Sequence, residues 1–176
     1  MDIKYTPMFV LPFWSTKIAN FSKKKKEFKK ILKEYPEEYQ NFNTFLTNQG
    51  KTDQQLIENF LKILNDEFKE FSEITKMCFK LTQVWSSTYE KYHYATAHNH
   101  GSTGYAGIIY LDFNKKSPPT TYIQPWNNIN DKTSLYTHPV KEGDMVIFPQ
   151  SVLHYTEPNP ISFKKRIISF NLERLK

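Results

Sequence analysis

The chain of 176 residues contains one cysteine, Cys78. No intrachain disulfide can form, no cysteine-based zinc ribbon is possible, and a reducing, cytoplasmic setting is expected. Glycine is scarce, with five residues. Neither GxGxxG nor GxxxxGK[ST] occurs, which excludes a glycine-rich phosphate cradle. No stretch approaches the ~20 apolar residues of a membrane span. The apolar patch from Met8 to Trp14 is short, carries Pro12 and lacks a basic flank, so it does not read as a signal peptide. Zinc-finger, RNP and helix-turn-helix patterns are also missing.

What remains suits a folded domain. Hydrophobic residues make up 39% and aromatics 16%, and the length fits one domain spanning 1–176. The net charge of +6 is concentrated in Lys23, Lys24, Lys25, Lys26, Lys29, Lys30 and Lys33. Such a run reads as a solvated helix face, although charge alone does not exclude nucleic acid as a partner.

The pattern divides near Cys78. Before it, 3–14 read as an extended strand. A helix is expected from Ser22 to Glu34, where Ile18, Phe21, Phe28, Ile31 and Leu32 give one apolar side and Pro36 stops it. Residues 36–51 read as irregular. A second helix is expected over 53–71, with Thr52 and Gln55 as a capping box and Leu56, Phe60, Ile63, Leu64, Phe68 and Phe71 as its buried stripe. After it, candidate strands fall at 79–89, 92–98, 104–113, 119–124, 133–138, 144–148, 152–156 and 164–173. Turn signals at His100-Gly101-Ser102, Lys116 to Pro119, Asn127 to Asn130 and Glu142-Gly143-Asp144 separate several of them. Strands at this spacing predict a sandwich or barrel, braced by the helices of 1–77 on one outer face of a core at 78–176.

Three histidines carry the chemistry. His98 and His100 are two apart, and on a strand that spacing turns both side chains to one face. His154 follows 56 residues after His98, past several strands. Histidine is the commonest protein ligand for a transition metal, and a close pair with a distant third suits a metal in an antiparallel barrel. His93 lies an odd number of residues from His98 and falls on the opposite face, and His138 precedes Pro139 at a strand end. Both read as structural. Arg166, beyond the last histidine, could grip a carboxylate beside the metal in two-point fashion. Strict alternation back from Ser169-Phe170-Asn171 selects Lys165 and Ile167 instead, and only a bulge would restore Arg166.

This layout resembles the iron(II)- and 2-oxoglutarate-dependent oxygenases, over roughly residues 80–172. The stretches Trp85 to Tyr89, His98-Asn99-His100 and Gly107 to Leu111 look like the first half of that family's double-stranded β-helix, or jelly roll. Glu142 to Pro149, Val152 to Asn159, Arg166 and Ser169-Phe170-Asn171 look like its second half. The resemblance is to a small bacterial and phage-type subgroup that carries His-x-His.

The resemblance implies a mainly β fold with N-terminal helices. It also implies a dioxygenase that uses Fe(II), O₂ and 2-oxoglutarate as a small-molecule co-substrate to hydroxylate a C–H bond, releasing succinate and CO₂. His98, His100 and His154 would hold the metal. Arg166 or Lys165 would hold the distal carboxylate, with Tyr110 and Ser169 assisting. The family's usual site has two histidines and a carboxylate. Here His100 stands where Asp or Glu is expected, leaving the site more positive by one charge. Asp112 and Glu90 are the nearest acidic candidates to replace it, and neither has the expected spacing. Tyr89 and Tyr92 are candidates for the pocket mouth, and Trp126 with the 127–131 loop for a cover over the substrate. Gln124-Pro125-Trp126 replaces the Asp-Pro-Arg seen in relatives. Two alternatives stay open: a three-histidine metalloenzyme that does not use 2-oxoglutarate, and a non-catalytic jelly-roll binding module.

Overall fold

Two antiparallel sheets face each other in the computed structural model, which describes residues 10–40, 44–47 and 53–175. In chain order the elements are β1 (Trp14–Lys17), α1 (Phe21–Leu32), β2 (Glu38–Gln40), β3 (Thr44–Thr47), α2 (Gln54–Ile63), α3 (Asn65–Thr75), β4 (Phe79–Tyr89), β5 (Ala95–His98), β6 (Tyr105–Asp112), β7 (Thr120–Asn127), β8 (Thr133–Thr137), β9 (Asp144–Pro149), β10 (His154–Thr156) and β11 (Lys165–Arg174). The larger sheet runs β1-β9-β6-β11-β4-β3-β2 and the smaller β5-β10-β7-β8. This is the expected double-stranded β-helix.

The larger sheet separates two cores, and period-2 alternation assigns each residue to one of them. Ile109, Ile168 and Phe170 pack outward against Phe28, Leu56 and Phe60 of the helices. Their chain neighbours Ile108 and Ile167 point inward, with Tyr110, Phe148 and Tyr122. Close contact requires glycine at 107, where a Cβ would lie 2.0 Å from the Phe170 ring on the neighbouring strand.

The N-terminal third departs from expectation in four places. Of the expected 3–14 strand, residues 3–9 lie outside the described residues, and among the described ones the pairing strand begins only at Trp14. The 36–51 segment holds β2 and β3, which extend the larger sheet beyond β4. They pair with each other locally, and only β3 reaches the sheet, through the distant β4; strands of three and four residues are too short to show an alternation. The single helix over 53–71 is two helices. Leu64, fully buried, leaves the helical basin at φ −106° and ψ 18°. Asp66 and Glu67 then sit in the first turn of α3, where negative charge suits the helix dipole. Finally, the cap of α2 is Asp53, whose Oδ1 accepts from the Leu56 N–H at 2.8 Å; Thr52 of the expected capping box lies outside the described residues.

Candidate metal centre

The three histidines come together inside the barrel. His98 ends β5 and His154 opens β10, directly opposite each other in register. His100 follows in the loop after β5, where its backbone N–H donates to Gln150 O at 3.0 Å. The ring centroids are 4.5 Å apart for His98 and His154, 5.0 Å for His100 and His154, and 5.4 Å for His98 and His100. One ring nitrogen of each lies within 4.8 Å of the other two, and no carboxylate joins this group among the described residues.

Hydrogen bonds decide which nitrogens are offered. His98 Nδ1 lies 2.7 Å from Thr96 O and His154 Nδ1 2.9 Å from Val152 O. A carbonyl oxygen only accepts, so in a neutral ring the proton sits on Nδ1 and Nε2 keeps its lone pair. His100 Nδ1 lies 2.9 Å from Asn171 Oδ1, which places its proton the same way. Burial pulls the His100 imidazole down to about 4 and His154 down to about 3, the charge of His98 adding to the shift in both. These two rings are therefore neutral at pH 7. Three imidazole lone pairs converging in this way fit a divalent cation. Bonds from Nδ1–H to protein acceptors are also what orient metal-binding histidines.

A cavity of about 260 Å³ opens beside the histidines, with Trp85, Ser87, Tyr89, Thr120, Ile167 and Ser169 among its walls. The hydroxyl of Thr120 is buried without a hydrogen-bond partner among the described residues, and the Thr120 backbone N–H donates to the Tyr110 hydroxyl at 3.3 Å. Behind Tyr89 lies Lys165. It is 0% exposed, its Nζ is 4.7 Å from the Tyr89 ring centre, and it donates to Pro118 O at 2.6 Å. Burial alone pulls its ammonium down to about 7. An ammonium has three protons to donate, so the bond to Pro118 O leaves Lys165 with further donor capacity.

The structure separates the other sequence candidates. Lys165, Ile167, Ser169 and Asn171 share the inner face of β11, as strict alternation requires. Arg166 is on the opposite face. Its Nε donates to Thr88 Oγ1 at 3.0 Å and its Nη2 to Glu37 Oε1 at 2.9 Å. β11 does shift register against β6 between Arg166 and Ile167, but Arg166 does not turn inward there. Tyr110 and Ser169 are buried on the inner side. Asp112 is paired to Lys25 and Lys29 and Glu90 to Lys164, so neither replaces the missing carboxylate. Tyr89 lines the cavity, but Tyr92 is 66% exposed with φ 70°. Trp126 belongs to a separate groove with Leu135 and Tyr136. His138 accepts or donates at Nδ1 with the Tyr136 hydroxyl, 2.7 Å away, and neither it nor His93 joins the metal group. Sequence reasoning passed over Thr120, Ser87, Gln83 and Asn171 as site residues. Alternation from Ser169 would have found Asn171; nothing local marks Thr120.

A metal-binding enzyme built on a double-stranded β-helix is the class this fold and site define. The chain belongs to the 2OG-Fe(II) oxygenases: the family described as "Putative 2OG-Fe(II) oxygenase" matches residues 83–171. Solved structures with the same fold include an oxidoreductase of the 2OG-Fe(II) oxygenase family from Burkholderia pseudomallei, at 9% identity and TM-score 0.68, covering 92% of this chain and 84% of that one. HygX from Streptomyces hygroscopicus, solved with nickel, 2-oxoglutarate and hygromycin B, is 11% identical with TM-score 0.67 over 92% of this chain and 82% of its own. The viral collagen prolyl hydroxylase of Paramecium Bursaria Chlorella virus-1, solved with 2-oxoglutarate, is 13% identical with TM-score 0.60 over 93% and 96%. No curated protein matches the sequence. The family uses Fe(II), 2-oxoglutarate and O₂. Among the described residues no helix is long and apolar enough to cross a membrane.

Proposed function

We propose that this chain is a 2-oxoglutarate-dependent oxygenase whose iron is held by His98, His100 and His154 through their Nε2 atoms, with Lys165 rather than Arg166 anchoring the co-substrate. The observation that carries the metal assignment is the set of three converging imidazoles whose Nδ1 atoms all meet acceptors. When bound, iron supplies the activation of O₂ that couples decarboxylation of 2-oxoglutarate to oxidation of a C–H bond. The chain does the rest. Lys165, the Thr120 hydroxyl and the Tyr110 hydroxyl offer donors to the distal carboxylate, and Ser169 stands nearby on the same face of β11. Trp85, Ile108 and Ile167 give the cavity apolar walls, which exclude water and strengthen each charge contact inside. A single cysteine, Cys78, is in keeping with a reducing, cytoplasmic setting.

Anaerobic titration with iron(II) and then 2-oxoglutarate tests the reading through the visible charge-transfer band of the chelate. One equivalent of each is expected. A wild-type protein that takes up iron but shows no band with 2-oxoglutarate would leave a three-histidine metalloenzyme that does not use 2-oxoglutarate.

A further inference from the structure

The third histidine is oriented by a different kind of group from the other two. His98 and His154 are held by backbone carbonyls of Thr96 and Val152, which cannot turn over. His100 is held by a side-chain amide. Asn171 Oδ1 faces His100 Nδ1 at 2.9 Å, and Asn171 Nδ2 donates to Gln83 Oε1 at 2.8 Å. Asn171 and Gln83 are cross-strand partners on β11 and β4, and Asn171 is buried. An amide can present either end. With both amides as found, Asn171 accepts, His100 carries its proton on Nδ1, and Nε2 has a lone pair for a cation. With both reversed, Asn171 would donate to Nδ1, the proton would move to Nε2, and His100 would have nothing to give a metal. Trp85, 5.2 Å away, and His98, stacked at 17° and 5.4 Å, restrict reorientation of the ring. The amide pair therefore controls the tautomer while the aromatic neighbours control the plane.

We infer that Asn171, set by Gln83, is the positioning residue that makes His100 a metal ligand in the place where the family's usual site has a carboxylate. This rests on the metal reading above, but the tautomer it asserts exists without metal and is measured without it. Partners that orient metal-bound histidines typically change metal affinity by ~10- to 100-fold when removed.

The test begins with metal-free, ¹⁵N-labelled wild-type protein and long-range ¹H–¹⁵N correlations of the imidazoles. His100 should show a protonated Nδ1 and a bare Nε2; the reverse pattern overturns the inference. Zn²⁺ affinity is then measured for two variants. Asn171→Leu removes the acceptor and should weaken Zn²⁺ by ~10- to 100-fold, with His100 moving to a mixture of tautomers. Asn171→Asp is a permanent acceptor and should keep the Nδ1–H form and bind Zn²⁺ at least as tightly as wild type. A purely structural role would make both variants alike in tautomer and affinity, and that result overturns the inference. Should Asn171→Leu fail to fold, Gln83→Glu serves: its carboxylate only accepts, so it must keep Asn171 as found and preserve the wild-type His100 pattern. A changed pattern there counts against the relay. A wild type with the expected tautomer that binds no Zn²⁺ upholds the positioning and refutes the metal reading, so the two fail separately.

Discussion

Replacing Lys165 with Met is the most informative perturbation of this protein. It removes a fully buried ammonium while keeping a chain of similar length. Burial lowers the folded-state value from 10.5 to about 7, whereas the unfolded chain keeps the ordinary value. Below pH 7 both states bind the proton, and the folded state carries the whole cost of a buried charge. As pH rises through 7 the folded state releases its proton while the unfolded state keeps it until about 10.5. The unfolded state then binds more protons, so wild-type stability should rise with pH, at up to ~1.4 kcal/mol per unit. Between pH 7 and pH 9 this group alone should add roughly 2 kcal/mol. Lys165→Met should lack that rise. Its loss of the bond to Pro118 O leaves a part-buried acceptor without that donor, at up to ~1–3 kcal/mol, but that cost does not vary with pH. Urea unfolding of metal-free, co-substrate-free protein at pH 6, 7, 8 and 9 gives the comparison. The wild-type minus variant difference should be flat below pH 6.5 and change steadily above pH 7. A difference that stays flat from 7 to 9 refutes the perturbed ammonium.

Function should move the other way. The distal carboxylate of 2-oxoglutarate would give the ammonium its missing partner, so binding above pH 7 takes up a proton and weakens up to tenfold per pH unit. Lys165→Met should lose ~10- to 150-fold in 2-oxoglutarate affinity, from a charge-assisted bond of ~1.5–3 kcal/mol, with Zn²⁺ affinity nearly unchanged. A variant that binds 2-oxoglutarate like wild type would remove Lys165 from the site.

Other outcomes follow from the same geometry. Arg166→Ala should leave 2-oxoglutarate affinity within about twofold and cost only ~0–1 kcal/mol of stability in urea unfolding, because the Glu37 pair is partly exposed. His98→Ala should abolish stoichiometric metal binding by elemental analysis; tight binding of one equivalent would refute the assignment. His100→Asp should keep metal binding and increase preference for Fe²⁺ over Zn²⁺ in competition, with at least equal co-substrate turnover. Asp53→Ala should cost ~0.5–2 kcal/mol by thermal or urea unfolding, since it removes the α2 cap.

How much of this could be read from the residues depends on the range of the forces involved. From β4 to β11 the strands read clearly because β4, β6, β9 and β11 are apolar runs buried between two cores and turn residues separate them, and the expected strands agree with the observed ones to within a few residues. β2 and β3 were invisible for the opposite reason: they are three and four residues long, and β3 joins the sheet through β4, some 40 residues on. The helix break at Leu64 was hidden because Leu64 continues the apolar stripe of α2 while its backbone leaves the helix. In the site, the histidine spacing carried the metal group. Arg166 is a candidate for its fork-shaped charge and its place after the last histidine, whereas counting by twos from Ser169 selects Lys165, the residue that the structure buries. The hydrogen bonds to Thr96 O, Val152 O and Asn171 depend on loop and register geometry that no spacing encodes.

Lys165 and the histidines also obey one electrostatic rule. The barrel interior selects bases and holds them with little charge: His100 and His154 are driven far below pH 7, and Lys165 is poised near it. No carboxylate accompanies the histidines among the described residues, so a divalent cation entering this group keeps its full charge of two. On the proposed reading a dianionic co-substrate would neutralise that charge, and its distal carboxylate would favour the protonated form of Lys165. Cation and dianion should therefore bind with positive coupling: each lowers the cost of the other in a low-dielectric cavity. Without a carboxylate ligand this coupling should exceed that of the His100→Asp variant, whose site starts with one charge fewer. Measuring 2-oxoglutarate affinity with and without Zn²⁺ in both proteins gives the two coupling factors. Equal factors would mean that the missing carboxylate has no electrostatic consequence for co-substrate binding.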